Sequence, residues 1–141
     1  MKVTNDSNVE LIEHLYRSYN SKDLDRWLSH FTDDALWHNV PTGETYEGLD
    51  GQRANYRAWS TPFPHGECQD LVVRGGGEVV VAQFNGVGLH EGPLMTPKGE
   101  IAATFKRTSL AFCDVHTISR GLVTQTHRYW DLAGASNQLG L

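Results

Sequence analysis

The sequence predicts an α+β domain in which N-terminal helices pack across the concave face of a strongly curved antiparallel or mixed sheet. Up to residue 60 the apolar residues recur mainly at helical spacing, whereas β-branched and aromatic residues dominate from residue 67 onward. The strands predicted at 78–90 and 101–118 are also much longer than the usual length of about five or six residues. Such strands must bend, and a bent sheet roofed by helices leaves a blind cavity in which a small ligand can bind.

Composition indicates one soluble domain over residues 1–141. The apolar fraction is 39% and the net charge is −5, and no cationic run offers a surface to nucleic acid. The first residues contain no apolar signal segment and no window approaches 18 apolar residues, so we expect no membrane span and a cytoplasmic location. Cys68 and Cys113 stand far apart, and we expect both to be free and buried.

Two helices are predicted at the start of the chain. Ser7 and Glu10 have the spacing of a capping box, which predicts a first helix over about 8–20. Asp23 is a suitable N-cap for a short second helix. The apolar stripe of that helix has the spacing of a buried helical face: Leu24, Trp27, Leu28 and Phe31.

The middle of the chain alternates between short elements. A turn is predicted at 32–34, a strand at 35–40 and a third helix at about 48–60, which Pro62 and Pro64 end. The remaining elements are strands at 67–74, 78–90, 101–118 and 122–130, with turns at 75–77 and 119–121 and a Pro/Gly-rich loop at 91–99.

The final strand carries the residues best suited to chemistry. Alternation places Val123, Gln125, His127, Tyr129 and Asp131 on one face. A solvent-facing strand seldom mixes valine and tyrosine with histidine in this way, and a plain core face would not include an aspartate. We therefore interpret this face as the floor of a pocket.

Each polar residue of that face has two interpretations. Asp131 is a candidate acid/base, because an apolar cavity raises the pKa of a carboxyl group toward neutrality; alternatively it caps a terminal helix over 132–139. His127 is a candidate catalytic group or a core histidine bonded to a carbonyl. Tyr129 is a candidate donor to an oxyanion or an aromatic wall.

Further site residues are predicted outside the final strand. His38 alternates with Leu36 and Val40, which suggests an inward, catalytic imidazole, with a structural hydrogen bond as the alternative. The aromatic residues predicted to line the pocket and bind substrate, with plain core packing as the alternative, are Trp27, Trp37, Tyr56, Trp59 and Phe84. The histidines form none of the usual ligand spacings, so no metal site is predicted.

Short motifs follow one another in a characteristic order along nearly the whole chain. They are YNSKDLD at 19–25, ALWH at 35–38, YEG at 46–48, YRAW at 56–59, FP at 63–64, GVGLHEG at 86–92, HRYWD at 127–131 and QLG at 138–140. In this order and spacing the chain resembles the SnoaL-like polyketide cyclases of the NTF2-like (cystatin-like cone) superfamily.

The resemblance implies a cone-shaped sheet with the active site inside it, and a homodimer formed through the outer face of the sheet. It also implies an enzyme of secondary metabolism that needs no metal or organic cofactor. Its reaction would be an acid/base cyclisation of the intramolecular aldol type, or a related isomerisation, of an aromatic or polycyclic carbonyl compound.

The final strand departs from the pattern of the family. Known cyclases commonly carry His-Trp-Asp there, with the aspartate as acid/base. His127 matches the histidine, but Tyr129 occupies the position of the aspartate, and the nearest carboxylate is Asp131. A tailoring activity of the hydroxylase or hydratase type, or ligand binding without turnover, therefore remains open.

Overall fold

The computed structural model describes residues 3–141, and their side chains from Ser7 onward. The helices are α1 (Val3–Asn20), α2 (Leu24–Leu28), α3 (Gly48–Ser60) and α4 (Leu132–Leu139). The strands are β1 (Phe31–Asn39), β2 (Glu44–Glu47), β3 (Glu67–Gly76), β4 (Val79–Leu89), β5 (Leu94–Thr96), β6 (Gly99–Ile101), β7 (Arg107–Ser119) and β8 (Leu122–Trp130).

Six of the strands form one curved mixed sheet in the order β2-β1-β8-β7-β4-β3. Strands β1 and β8 pair in parallel, and the other neighbours pair antiparallel. The remaining two strands, β5 and β6, form a separate hairpin. The predicted α+β class with a curved mixed sheet is confirmed.

The core lies between the concave face of this sheet and the helices. Helix α1 packs on β3 and β4, and α3 packs on β1. Ile12 and Leu15 of α1 are fully buried, as are Val80 and Ala82 of β4. This arrangement roofs the sheet, so that the inward side chains of β1, β4, β7 and β8 meet those of the helices.

Two irregularities bend the long strands. Between Phe31 and Leu36, four residues of β1 run beside a single residue of β8, because Phe31 pairs with Val123 and Leu36 with Gln125. The segment predicted as a turn at 32–34 is therefore a bulge inside β1. The second irregularity lies in β8, where Thr124 has no partner between the pairs Thr117–Gln125 and Ile118–Val123.

Several predicted boundaries need correction. Helix α1 begins at Val3, so Ser7 lies inside it and is not its N-cap. Asp23 does cap α2, since its carboxylate accepts a 3.0 Å bond from the backbone N–H of Arg26. The strand predicted at 101–118 begins only at Arg107, because the β5–β6 hairpin uses residues up to Ile101. Among the described residues, no helix is both long and apolar enough to cross a membrane.

Candidate active site

A cavity opens between the concave face of the sheet and the helices. Its empty space is about 660 Å³, counting the part that is open to solvent. The aromatic residues that line it are Tyr16, Tyr19, Trp27, Trp37, Tyr56, Trp59, Phe63, Phe84 and Phe112. Its walls are therefore mainly aromatic rings, which suit a flat ligand, and we call this cavity the aromatic slot.

All five aromatic residues predicted to line the pocket do line this cavity: Trp27, Trp37, Tyr56, Trp59 and Phe84. They also pack on one another and on the core, since the ring centres of Trp27 and Tyr56 lie 5.4 Å apart and those of Phe84 and Phe112 lie 5.1 Å apart. These rings therefore line the cavity and pack in the core at the same time, so the two interpretations do not exclude each other. Their role in binding a substrate remains a prediction.

The final strand faces the opposite way from the prediction. Thr126 and Arg128 are buried on the concave face, whereas Tyr129 is 46% exposed on the outer face. Val123 is also buried, and the unpaired Thr124 lies between the two stretches. This bulge reverses the alternation, so His127 and Tyr129 point away from the cavity that Arg128 lines.

His38 and His127 meet on that outer face. They are partners in the parallel pairing of β1 and β8, and their rings stack with centres 4.6 Å apart. His38 has Thr45 Oγ1 3.1 Å from Nδ1 and Gln125 Nε2 3.2 Å from Nε2. The inward orientation predicted for His38 is wrong, because its neighbour Trp37 occupies the concave side.

Partial burial and the neighbouring imidazole of His38 lower the pKa of His127. Neither imidazole lines the cavity. The catalytic roles predicted for His38, His127 and Tyr129 stay predictions. Those roles depended on side chains that point into the cavity, and these three side chains point away from it.

Asp131 is exposed and caps the terminal helix. Its carboxylate accepts a 2.9 Å hydrogen bond from the backbone N–H of Gly134, the third residue of α4. A side chain at Gly134 would collide with this carboxylate, since a Cβ there would lie 2.5 Å from Oδ2. The capping interpretation of Asp131 thus matches the structure, whereas its predicted place on the pocket floor does not.

The polar groups behind the cavity are ones that the sequence interpretation missed. Asp114 of β7 lies directly opposite Arg128 of β8 and is fully buried. Arg128 donates from Nε to Oδ1 and from Nη2 to Oδ2, each at 2.8 Å. The guanidinium lies 4.7 Å from the ring centre of Trp37 and 4.9 Å from that of Phe112, so aromatic faces surround the cation.

Tyr16 links this ion pair to a buried histidine. Its hydroxyl donates to Asp114 Oδ2 at 2.5 Å and lies 2.8 Å from His116 Nε2. The other ring nitrogen, His116 Nδ1, lies 2.7 Å from the hydroxyl of Thr126. These groups and Arg128 form one continuous network, which we call the Asp114 network: Tyr16, Asp114, His116, Thr126 and Arg128.

Burial and charge fix the protonation states of this network. Burial lowers the pKa of His116 to about 4, with Asp114 opposing and Arg128 adding to the shift, so its imidazole is neutral near pH 7. The Tyr16 hydroxyl donates its proton to Asp114 and can only accept from His116. The neutral His116 must therefore donate from Nε2 to Tyr16 and accept at Nδ1 from Thr126.

The phenol and the guanidinium both stay protonated. Burial, and then the charge of Asp114, raise the pKa of Tyr16 well above its ordinary value. Burial lowers the pKa of Arg128, but the charge and the hydrogen bonds of Asp114 outweigh this effect and leave the pKa above its usual value. The site therefore combines an unchanging cation with a phenol whose proton can move only along the network.

A pattern in β7 could have revealed the network. Asp114 and His116 have the same parity as the apolar residues Leu110, Phe112 and Ile118, so alternation alone places a carboxylate and an imidazole on a buried face. A buried carboxylate requires a partner. The opposite strand supplies it in Arg128.

The other reactive groups in the described chain are less suited to catalysis. Cys68 also lines the cavity, but burial raises the pKa of its thiol to about 12, so it is not a nucleophile near neutral pH. The described residues contain no group of three or more His, Cys, Asp and Glu side chains that could bind a metal ion.

The family model for the SnoaL-like domain matches residues 12–126, which is most of the chain. This chain is a member of the SnoaL-like family. The resemblance inferred from the motifs is thereby confirmed. None of the curated proteins matches the sequence of this SnoaL-like protein.

Solved structures share the fold over most of their length. A candidate polyketide cyclase of Xanthomonas campestris is 18% identical, with a TM-score of 0.84 over 95% of this chain and 97% of that one. AclR of Streptomyces galilaeus, a candidate hydroxylase, is 15% identical, with a TM-score of 0.79 over 94% and 80%. TsrD of Streptomyces laurentii is 28% identical, with a TM-score of 0.76 over 96% of each chain.

Proposed function

We propose that this SnoaL-like protein is an acid/base enzyme that cyclises an aromatic or polycyclic carbonyl compound by an intramolecular aldol-type step, or isomerises it. One observation carries the proposal. Arg128 lines the aromatic slot, and its Nη1 group has no acceptor among the described residues. Tyr16 lines the same slot and shares the Asp114 carboxylate with Arg128. The family membership and the name of the Xanthomonas structure support the same reaction class.

Arg128 is suited to stabilise an enolate. Its free N–H groups can donate to a substrate carbonyl, and the bond strengthens as negative charge develops on that oxygen. Asp114 holds the guanidinium in place and cancels its charge in the resting state. The site therefore favours the transition state more than it favours an anionic ligand.

Tyr16 is suited to transfer the proton. In the first step the C–H bond α to the carbonyl breaks, its proton passes to Tyr16 Oη, and the proton of Tyr16 passes to Asp114 Oδ2, 2.5 Å away. The electron pair of the C–H bond becomes the enolate, which Arg128 stabilises. His116 stabilises the phenol oxygen throughout by donating from Nε2.

The second step restores the network. In cyclisation, the enolate carbon attacks a second carbonyl of the same molecule, and the alkoxide takes a proton from Tyr16. Asp114 then returns its proton to Tyr16. In isomerisation, Tyr16 returns the proton to a different carbon. Neither sequence consumes or releases a proton overall.

Proton exchange on a simple ketone tests this proposal. The probe is 1-tetralone in D₂O, and mass spectrometry measures deuterium incorporation at the carbon next to the carbonyl. The protein should accelerate the exchange, and Tyr16→Phe should slow it by about 100-fold or more. The matched control is Tyr46→Phe, a tyrosine on β2 outside the cavity, which should exchange at the rate of the unmodified protein.

The exchange result also separates the alternatives. If the unmodified protein does not accelerate exchange, or if Tyr16→Phe exchanges equally fast, enolate chemistry is wrong. Binding of 1-tetralone without exchange would then favour the non-catalytic ligand-binding alternative. A hydroxylase of the kind named for AclR would require a different assay, and the likeness to AclR extends to the fold alone.

We also propose that two copies associate through the outer face of the sheet, as the family resemblance implies. This face carries a group of valines: Val79, the first residue of β4, is 46% exposed, and the half-buried Val81 and Val115 pair across β4 and β7. Association would cover these valines together with Tyr129 and the stacked imidazoles of β1 and β8.

A further inference from the structure

Asn55 and Thr108 in the cavity wall make no side-chain hydrogen bond within the described chain, and the buried indole N–H of Trp37 in the same wall also has no partner. Asn55 of α3 is 2% exposed and Thr108 of β7 is 4% exposed, and both line the aromatic slot. A buried amide or hydroxyl without a partner costs free energy. Their positions make sense if a ligand supplies the missing bonds.

A buried amide and a buried threonine elsewhere in this chain do make side-chain hydrogen bonds within the protein. Gln52 lies one turn before Asn55 on α3 and is fully buried; its Nε2 donates to the carbonyls of Ala35 and Tyr46, and its Oε1 has no partner among the described residues. Thr126 is a buried threonine like Thr108, but its hydroxyl bonds to His116. Asn55 and Thr108 lack such partners, so the fold does not explain them.

The chemistry of the slot limits what these two residues can bind. Both side chains are uncharged, and each can donate and accept a hydrogen bond. Arg128, the one cation among the described residues of the wall, is already neutralised by Asp114. A hydroxyl group is the ligand group that both donates and accepts, and the aromatic walls suit the ring that carries it.

We propose that Asn55 and Thr108 are specificity-determining residues that bind hydroxyl groups at the edge of a flat ring. The substrate class is then an uncharged, hydroxylated aromatic ketone. Its carbonyl lies at Arg128, a placement that rests on the proposed function, and its hydroxyl groups lie at Asn55 and Thr108. The two residues act on recognition and take no part in proton transfer.

Calorimetric titration with a matched set of ketones tests the proposal. The probes are 1-tetralone and its 5-, 6- and 7-hydroxy derivatives. At least one hydroxylated isomer should bind the unmodified protein about fivefold or more tightly than 1-tetralone does. In Asn55→Leu or Thr108→Val this preference should fall to less than about twofold, while the Kd of 1-tetralone itself stays unchanged.

Stability measurements separate recognition from a structural role. Because neither group has a protein partner, Asn55→Leu and Thr108→Val should keep or raise the melting temperature. Thr117→Val on the outer face is the matched control, and it should leave the preference among the ketones unchanged.

Three results would overturn the proposal: a failure of every tetralone to bind, equal binding of all four ketones, or a preference that survives in both variants. Proton exchange remains a separate measurement. Hydroxyl-dependent binding without exchange would overturn the proposed reaction and leave the binding role of Asn55 and Thr108 intact. Exchange without hydroxyl-dependent binding would support the proposed reaction and overturn the binding role of Asn55 and Thr108.

Discussion

Asp114 and Arg128 meet edge to edge, with two parallel N–H···O bonds of 2.8 Å across neighbouring strands. The geometry is bidentate, which is the strongest arrangement available to this pair. Asp114 is fully buried and the side chain of Arg128 is only 10% exposed. The pair therefore orients the guanidinium toward the cavity, and either charge alone would be uncompensated.

Removing one partner of this pair should destabilise the fold strongly. We expect Asp114→Leu and Arg128→Met each to lower the free energy of unfolding by about 3–5 kcal/mol, because each leaves a buried charge without its counterion. The double variant should cost clearly less than the sum of the two. Urea denaturation of the four proteins measures this coupling, and strict additivity would show that the two charges are stabilised independently.

His116 should make stability depend on pH. Its pKa is about 4 in the fold against 6.5 for the free side chain, so between these values the unfolded chain binds a proton that the folded chain does not. Stability therefore rises with pH across this window and is lost as the pH falls from 6.5 toward 4. His116→Gln lacks this titration, so its stability cost should shrink by about 2 kcal/mol between pH 7 and pH 5.

Denaturation of both proteins at the two pH values checks this expectation. The other titrating groups are common to both proteins, so their contributions cancel in the difference. A cost for His116→Gln that does not change with pH would mean that the imidazole takes up its proton in the fold over the same pH range as in the unfolded chain. The directional chain from Thr126 through His116 to Tyr16 would then be wrong.

Asp131 should act on stability and not on turnover. Asp131→Ala removes the bond to the backbone N–H of Gly134 and should cost about 1 kcal/mol. Asp131→Ser keeps a capping oxygen and should cost less. Both variants should retain the rate of 1-tetralone exchange, and a loss of exchange in Asp131→Ser would restore the acid/base role predicted from the sequence.

Local patterns predicted most of the elements correctly. Helical spacing is a property of neighbouring residues, so the stripe of α2 with Trp27 could be read directly from the chain. The same holds for the cap at Asp23. These features depend on few distant contacts, which is why the sequence was sufficient.

The orientation of the final strand could not be predicted in the same way. Alternation from Val123 is correct only until Thr124, where the pairing with β7 skips one residue. The bulge depends on how β7 and β8 pair in register, and no residue of β8 by itself indicates where the bulge lies. One extra residue moved Arg128 into the site and His127 out of it.

The Asp114 network was missed for a different reason. Charged residues are usually exposed, so an aspartate in a strand is most simply interpreted as surface. Its burial depends on Arg128 lying directly opposite, a contact between two strands that are joined by the turn at 120–121. The parity of Asp114 and His116 with buried apolar residues was the available signal.

Self-association through the outer face should depend on its exposed valines. Val79 of β4 is 46% exposed on this face, and Met95 is 71% exposed on the separate β5–β6 hairpin. We expect Val79→Lys to convert the dimer to a monomer, because it places a charge in an apolar contact, whereas Met95→Lys should leave the dimer intact. Light scattering after size-exclusion chromatography measures the mass of each protein. If the unmodified protein is a monomer, or if both variants remain dimeric, the dimer does not form through this surface, and His38, His127 and Tyr129 remain accessible to solvent.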